Sequence, residues 1–418
     1  MSAQQHADWL AQLANDFIQN VPEKLDAPRK IGREAEYPVV DDSGHAVNVQ
    51  KLWPLLNPNN DLTVKKEGDL IVGLEGTDYT YSLEVGWGTI EVITRPCKTL
   101  HEIEEVHQAA MQRLHGAAKT LGYNVLGYGM QPKTPGSLEL MSPKKRYRVL
   151  FDVIGPTWLH FTSTASDQIH VEVDRDEIVD VHNLCNLLTP VMVGLCANSP
   201  YCAESASGFN SSREGMMGEI YTEECRHGIP VAAIQSLEEW MEQLCKQRHL
   251  MHRENGQYII REGTFFSYLE EHGYNFDAFL FHEHYIWNSA RLRSAHGTIE
   301  FRSACQQPHD EHMAVAALSL GLVQSAHSLL PWIRTTLGEN HWKVLQAYGH
   351  KVMKEGLEAA EPAEGFVAHV LTTCEGALQE RGFGEEVYMS SLWKRWKERM
   401  NPAQRVLDNL ENGVYPWS

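Results

Sequence analysis

Two glutamates seven residues apart, Glu84 and Glu91, stand in SLEVGWGTIEVITRP (residues 82–96), a stretch otherwise made of strand formers and glycines. From Trp87 to Ile93 the residues alternate between two faces, with β-branched Thr, Ile and Val common, which predicts a strand. On that alternation Trp87, Thr89, Glu91 and Ile93 share one side. An odd separation points Glu84 and Glu91 apart on a straight strand, but Gly86 and Gly88 can supply the bulge or turn that brings both to one place. The pattern recurs. In IGREAEYPVV (31–40) Glu34 and Glu36 share a strand face while Ala35 and Tyr37 point the other way. Carboxylates placed side by side repel unless a cation sits between them; the plain alternative is a charged edge strand that deters aggregation.

Two further strands continue the series. In WLHFTSTASDQIHVEVD (158–174), Gln168, His170, Glu172 and Asp174 alternate with Ile169, Val171 and Val173. A strand histidine is commonly a structural hydrogen-bonder, yet neutral imidazole is also a competent metal ligand. In HGTIEFRSACQQP (296–308), Thr298, Glu300 and Arg302 share a face. Glu300 and Arg302 read either as a cross-strand ion pair or as a metal ligand beside an arginine clamp for carboxylate or phosphate. Together Glu34, Glu36, Glu84, Glu91, His170 and Glu300 form an oxygen-rich set suited to Mg²⁺ or Mn²⁺. Several such ions in one place suggest phosphoryl transfer.

Basic residues are concentrated elsewhere. A Gly/Pro-rich loop, LGYGMQPKTPG (126–136), leads into MSPKKRYRVL (141–150), where Lys144, Lys145, Arg146 and Arg148 make the densest positive cluster of the chain. Such a patch beside metal-bound carboxylates suits a nucleoside triphosphate, and a solvated loop is the plain alternative. Arg213, in GFNSSREGMMGEIY (208–221), is a second candidate anchor for phosphate or carboxylate. There is no GxxxxGK[ST] loop and no convincing GxGxxG, which counts against P-loop and Rossmann folds.

The elements that must position these groups are strands interleaved with helices. Trp9, Leu10, Leu13, Phe17 and Val21 predict an amphipathic helix over 4–21. Thr99 and Glu102 form a capping box that opens a packing helix from Leu100 to Leu121. Residues 180–197 read as an apolar helix interrupted by Pro190, and Glu67-Gly68-Asp69 as a hairpin tip. No motif stands out in 236–290. Residues 309–418 read as helices, among them Met313–Leu330, Trp342–Gly356 and a basic stretch at Trp393–Met400.

The 418 residues, 43% hydrophobic and 22% charged, suit a globular protein with a substantial core. A formal net charge of −19 argues against a nucleic-acid or anionic-membrane partner and fits a protein that gathers divalent cations. No apolar run approaches the roughly 20 residues of a bilayer span, and the N-terminus lacks the pattern of a secretory signal. The eight cysteines are scattered without a CxxC pair, which predicts reduced thiols in a cytoplasmic protein.

The ordered series Gly32-x-Glu34-x-Glu36, SLEVGWGTIEVITRP, GYGMQP with MSPKKRYRV, TASDQIHVEVD, ANSP (197–200) and TIEFRSAC resembles the glutamate–cysteine ligase family. The likeness lies nearer to its plant-type and bacterial branch, which includes carboxylate–amine ligases of other specificity. It runs from about residue 30 to about 308. It implies an α+β, glutamine-synthetase-like fold, in which a curved, mainly antiparallel sheet forms a funnel with helices packed outside. One catalytic domain, 1–418, would then hold a sheet core at about 30–308 and a helical segment at about 309–418.

The chemistry implied is ATP-dependent. The γ-carboxylate of glutamate is phosphorylated, and the amine of cysteine, or of another amino acid or amine, attacks the γ-glutamyl phosphate, as in the first step of glutathione-type thiol synthesis. Positions matching Glu34, Glu36, Glu84, Glu91, His170 and Glu300 hold magnesium in similar enzymes, and the one matching Arg302 contacts the glutamyl substrate or the phosphate. Glu91 and Arg302 are accordingly the catalytic candidates, with Arg146, Arg148 and Arg213 as phosphate binders. Trp87 replaces a small residue of the plant motif SLEPGGQFE, and His170 stands at an asparagine-like position, so the chain departs from a plain plant-type enzyme. The acceptor pocket is not legible, which leaves cysteine as acceptor open. A nucleotide- or metal-binding relative without turnover and a metal-dependent hydrolase using His170 as base are the competing readings. The oligomeric state is not legible.

Overall fold

The computed structural model describes residues 3–25, 28–220 and 226–417. Its centre is a nine-stranded sheet: β1 (Ile31–Val40), β2 (Thr63–Glu67), β3 (Leu70–Glu75), β4 (Tyr79–Leu83), β5 (Thr89–Thr94), β6 (Asn124–Val125), β7 (Asp167–Glu172), β8 (Ala290–Arg293) and β9 (Thr298–Phe301). The spatial order is β8-β9-β7-β1-β5-β4-β3-β2, with β6 paired to the far end of β1. Every pairing in this sheet is antiparallel. The architecture is therefore α+β, and after Phe301 the described residues add helices to it and no further strand of the sheet.

Alternation along the central strands separates two environments. Ala35, Tyr37 and Val39 of β1 are fully buried against the helix Leu100–Thr120, together with Ile90 and Val92 of β5. Ile169 and Val171 of β7 and Ile299 of β9 join a larger core containing the helices Ile178–Leu187, Thr189–Cys196 and Ala314–Gln324. Helices thus cover one face, and the polar set occupies the other. Register lines that set up: Gly32 and Glu300 both lie opposite His170, Glu34 lies opposite Gln168, and Glu36 and Ser82 both lie opposite Glu91.

Several boundaries differ from those the sequence suggested. The strand bearing Glu91 begins at Thr89, and Trp87 sits in the β4–β5 turn. Gly86 is required there, since a Cβ would lie 1.9 Å from the Thr162 carbonyl oxygen. The basic segment is no solvated loop, because Lys145–Ile154 form a helix that packs Tyr147 and Leu150 inward. The helix expected over Met313–Leu330 is two helices, Ala314–Gln324 and Ala326–Leu337, meeting at an 81° bend. Ser325 sits at the corner with its hydroxyl donating to the Thr373 carbonyl, a break that no glycine or proline announces. Proline does mark the 46° bend between Ile178–Leu187 and Thr189–Cys196. Among the described residues no single helix is long and apolar enough to cross a membrane. Seven cysteines are free and buried; Cys225 lies outside the described residues.

Candidate metal and phosphate centre

β1 supplies one carboxylate to each of two ligand clusters. Glu34 joins His170 of β7 and Glu300 of β9; Glu36 joins Glu84, just past β4, and Glu91 of β5. In each trio one ligand atom per residue lies within 4.8 Å of the others. The β4–β5 hairpin explains how the odd spacing is overcome. Glu84 and Glu91 stand on opposite arms, so the turn, and no single alternation, aims both inward. Glu34 and Glu36 share a face as expected, yet they do not share a cluster.

Electrostatics distinguish the two trios. Burial and the charge of Glu84 push the Glu36 carboxyl up to about 7, against Arg213 and hydrogen bonds from Ser166. Its oxygens accept from the Ser166 amide at 2.6 Å and Gln168 Nε2 at 2.8 Å. Burial together with Glu84, Glu34 and Glu36 pushes Glu91 well above the carboxylate range. In the other trio burial acts in the same sense but is overcome. Arg291, Arg302 and Arg293 hold Glu300 well below its usual value. Arg291 grips both Glu300 oxygens, at 2.8 and 3.2 Å, Arg293 Nε lies at 3.4 Å, and Arg302 bonds both Glu300 and Gln168. Against burial, His170, whose Nε2 lies 3.2 Å from Glu34, lowers the Glu34 carboxyl.

Both trios fit a hard divalent cation. The Glu36–Glu84–Glu91 cluster presents oxygen donors alone, with mutual repulsion that a cation relieves. In the other, His170 Nε2 is buried with the Glu34 carboxylate 3.2 Å away, while Nδ1 is fixed 3.2 Å from Thr298 Oγ1. A ring nitrogen oriented through its other nitrogen and aimed at carboxylates is the arrangement a metal uses.

The remaining candidates divide. Arg302, Arg146 and Arg213 line the same cavity of 220 Å³ as the six ligands. Arg213 bonds Glu214, and its Nε is buried with no partner among the described residues. Arg148 does not reach the cavity: it is exposed and pairs with Asp152 one turn along its helix, 3.2 Å away. Helical periodicity, invisible while the segment read as a loop, separates it from Arg146.

The residues that the sequence reading missed are Arg291 and Arg293, which fall just past the span without a motif and line the cavity; Lys144 of the basic cluster is buried with its ammonium on the Leu83 carbonyl. The signal for the arginines was present: Ala-Arg-Leu-Arg alternates just before His-Gly and a second alternating run, which is a hairpin pattern. Two chambers flank the cavity. One of 510 Å³ shares Glu34, His170 and His296 with it; another of 620 Å³ shares Arg146, His284 and Tyr285.

Comparison with known proteins points one way. A family model described as glutamate-cysteine ligase family 2 matches residues 31–414. A putative glutamate–cysteine ligase 2 of Thermobifida fusca is 28% identical over 246 residues, 58% of this chain and 53% of that protein. The chloroplastic glutamate–cysteine ligase of Arabidopsis thaliana is 25% identical over 377 residues, 84% of this chain and 70% of that one. Among solved structures, a bifunctional glutathione synthetase from Pasteurella multocida matches with a TM-score of 0.59 at 15% identity, over 99% of this chain and 53% of that chain. A glutamate–cysteine ligase from Francisella tularensis in complex with AMP gives 0.55 at 12% identity, over 94% and 87%. The chain spans about half the length of the Thermobifida and Pasteurella proteins.

Proposed function

The chain belongs to the glutamate–cysteine ligase family 2, and on that premise we propose that it is an ATP-dependent ligase joining the γ-carboxylate of glutamate to the amine of cysteine. The reading adopts a glutamine-synthetase-like fold, with the polar sheet face as a funnel and the whole chain as one catalytic domain. The buried, free cysteines suit a reducing, cytoplasmic setting. The observation that carries the reading is the convergence of two separate ligand trios and three of the predicted arginines on one cavity.

Glu36, Glu84 and Glu91 would hold one Mg²⁺, and Glu34, His170 and Glu300 another. Bound there, these ions neutralise the triphosphate and polarise the transferring phosphoryl group. The 510 Å³ chamber, with Ile93, Pro96 and Ala295 among its walls, offers apolar surface for the base of ATP and leaves the phosphates at the carboxylates. Arg302, Arg291 and Arg293 converge on Glu300 from three directions; in the loaded site they turn part of that charge toward phosphate oxygens.

A γ-carboxylate oxygen of glutamate attacks the terminal phosphorus, the bond to the β-phosphate oxygen breaks, and ADP leaves. The amine nitrogen then attacks the acyl carbon. A C–N bond forms, the C–O bond to phosphate breaks, and one amine proton departs with the released phosphate. Arg213 and Arg146 line the same cavity, and guanidinium forks of this kind suit the glutamyl carboxylates.

The test is ADP release from ATP with Mg²⁺, glutamate and cysteine. ADP formation that needs all of them supports the ligase. A protein that binds nucleotide without releasing ADP, or one that turns over without ATP, replaces it with the non-catalytic or the hydrolytic alternative.

A further inference from the structure

Between the two ligand trios stands a side chain that belongs to neither. Gln168 of β7 lines the cavity, is 3% exposed, and is the one carboxamide among the described residues of its wall. Strand alternation puts it there. Gln168 and His170 face the cavity, whereas Asp167 turns to Arg33 on the helical side. Its bonding is complete. Nε2 donates to Glu36 Oε1 at 2.8 Å and to Ser166 Oγ at 3.0 Å, and Oε1 accepts from Arg302 Nη1. The same Nη1 also bonds Glu300 Oε1. An unbroken run of hydrogen bonds therefore leads from Glu36 in one trio, through Gln168 and Arg302, to Glu300 in the other.

The direction of that run is forced. An ionised carboxylate can only accept and a guanidinium can only donate. The amide satisfies both with Nε2 toward Glu36 and Oε1 toward Arg302; turned over, it would set oxygen against oxygen and N–H against N–H. A glutamate at 168 would still accept from Arg302 but would oppose Glu36, and an apolar residue would meet neither. The carbonyl end also governs Arg302, whose guanidinium bonds two side chains, Gln168 and Glu300. Without Oε1 it rests on Glu300 alone, where it competes with a cation for the same oxygens.

We propose that Gln168 is a positioning residue that ties the two cation sites into one unit. Its N–H group steadies Glu36 as a ligand, and its carbonyl holds Arg302 between Glu300 and the place of the transferring phosphate. This rests on the ligase reading and adds to that site a residue that acts through Glu36 and Arg302. One planar amide serves both ends, so neither trio can rearrange without disturbing the other.

The experiment compares the parent protein with Gln168→Met, which keeps the length and loses both ends, and Gln168→Glu, which keeps an acceptor for Arg302. Mn²⁺ binding is read from the electron paramagnetic resonance of the free ion, and melting is followed with and without Mn²⁺. Gln168→Met is expected to weaken Mn²⁺ binding about tenfold or more, as when a group that orients a metal ligand is lost. Gln168→Glu is expected to melt below the parent without divalent cations and to recover with Mn²⁺, because the added charge repels Glu36 until a cation arrives. Equal responses of the two variants, or Mn²⁺ affinity within about twofold of the parent in Gln168→Met, overturn the inference. Should Gln168→Met not fold, the cation-dependent recovery of Gln168→Glu decides alone, and its absence overturns the inference.

Glutamate-dependent ADP release gives a separate readout. In Gln168→Met, kcat should fall about tenfold or more while KM for cysteine stays within about twofold, since Arg302 is displaced and the acceptor is not. A change confined to that KM would place Gln168 in the acceptor pocket and overturn the assigned role. If the parent protein releases no ADP with glutamate, the ligase reading falls, while the Mn²⁺ and melting comparisons still decide the role of Gln168.

Discussion

Carboxylates are buried on both sides of β1, under opposite conditions. On the helical side Asp167 is closed by Arg33, Nε and Nη2 donating at 2.7 and 2.9 Å, and neither side chain is exposed. Farther back Glu311 receives Arg395 and Arg405 from the last two helices. On the cavity side Glu36, Glu84 and Glu91 face one another. Burial is similar; what differs is whether the fold supplies the counter-charge. A carboxylate that meets its own arginine braces the structure, whereas one that meets another carboxylate waits for a cation from outside. Glu300 stands between the two cases, being a cavity ligand held by three arginines.

Substitutions that separate the two sides have the largest expected effect. Glu91→Gln or Arg302→Ala is expected to lower glutamate-dependent ADP formation by roughly three orders of magnitude with the circular dichroism spectrum unchanged. Without divalent cations Glu91→Gln should melt no lower than the parent protein, because it removes a charge from a cluster of three. Near-normal turnover in either variant would refute the assignment of the cavity. Asp167→Ala, by contrast, should cost about 3–5 kcal/mol in denaturant unfolding, since it strands the buried Arg33 guanidinium. A loss below 1 kcal/mol would mean that this side is no brace.

A smaller effect concerns acid. Burial raises the Glu311 carboxyl, but its arginine partners outweigh that and hold it at about 2. A depressed carboxylate contributes stability that is complete above its unfolded value and is lost as pH falls through the folded one. Glu311→Gln should therefore lower the melting temperature at pH 7 and flatten the decline between about pH 4.5 and about 2. An unchanged acid limb would remove Glu311 from the brace. The smallest expected change is in Arg148→Ala: turnover within twofold of the parent and a stability loss of about 0.5 kcal/mol or less, as for an exposed pair one helical turn apart.

Alternation in short segments was enough to place β1, β5, β7 and β9 and to say which residues on each face away from the helical core. That is why the five strand-borne ligand candidates could be placed on one face; Glu84, just past β4, joins them through the turn, and all six line one cavity. Local pattern failed where orientation depended on a neighbour. Arg148 and Arg146 look equivalent until a helix forms, and the break at Ser325 carries no helix-breaking residue. Arg291 and Arg293 become meaningful only when β8 pairs with β9 and brings them to Glu300.

What the sequence determined by itself was chemistry, the supply of oxygen and imidazole donors on strand faces, together with the resemblance that the family comparison bears out over residues 31–414. What only the tertiary structure decided was partition. It sent Glu34 and Glu36, two residues apart, to different clusters, and it set three arginines on Glu300 while Glu36, Glu84 and Glu91 chiefly face one another. Strand periodicity fixes the side a residue faces, but cross-strand register and the turn between β4 and β5 fix what it faces. Coulombic interaction depends on that second quantity, and it falls off with distance through space, whatever the separation along the chain.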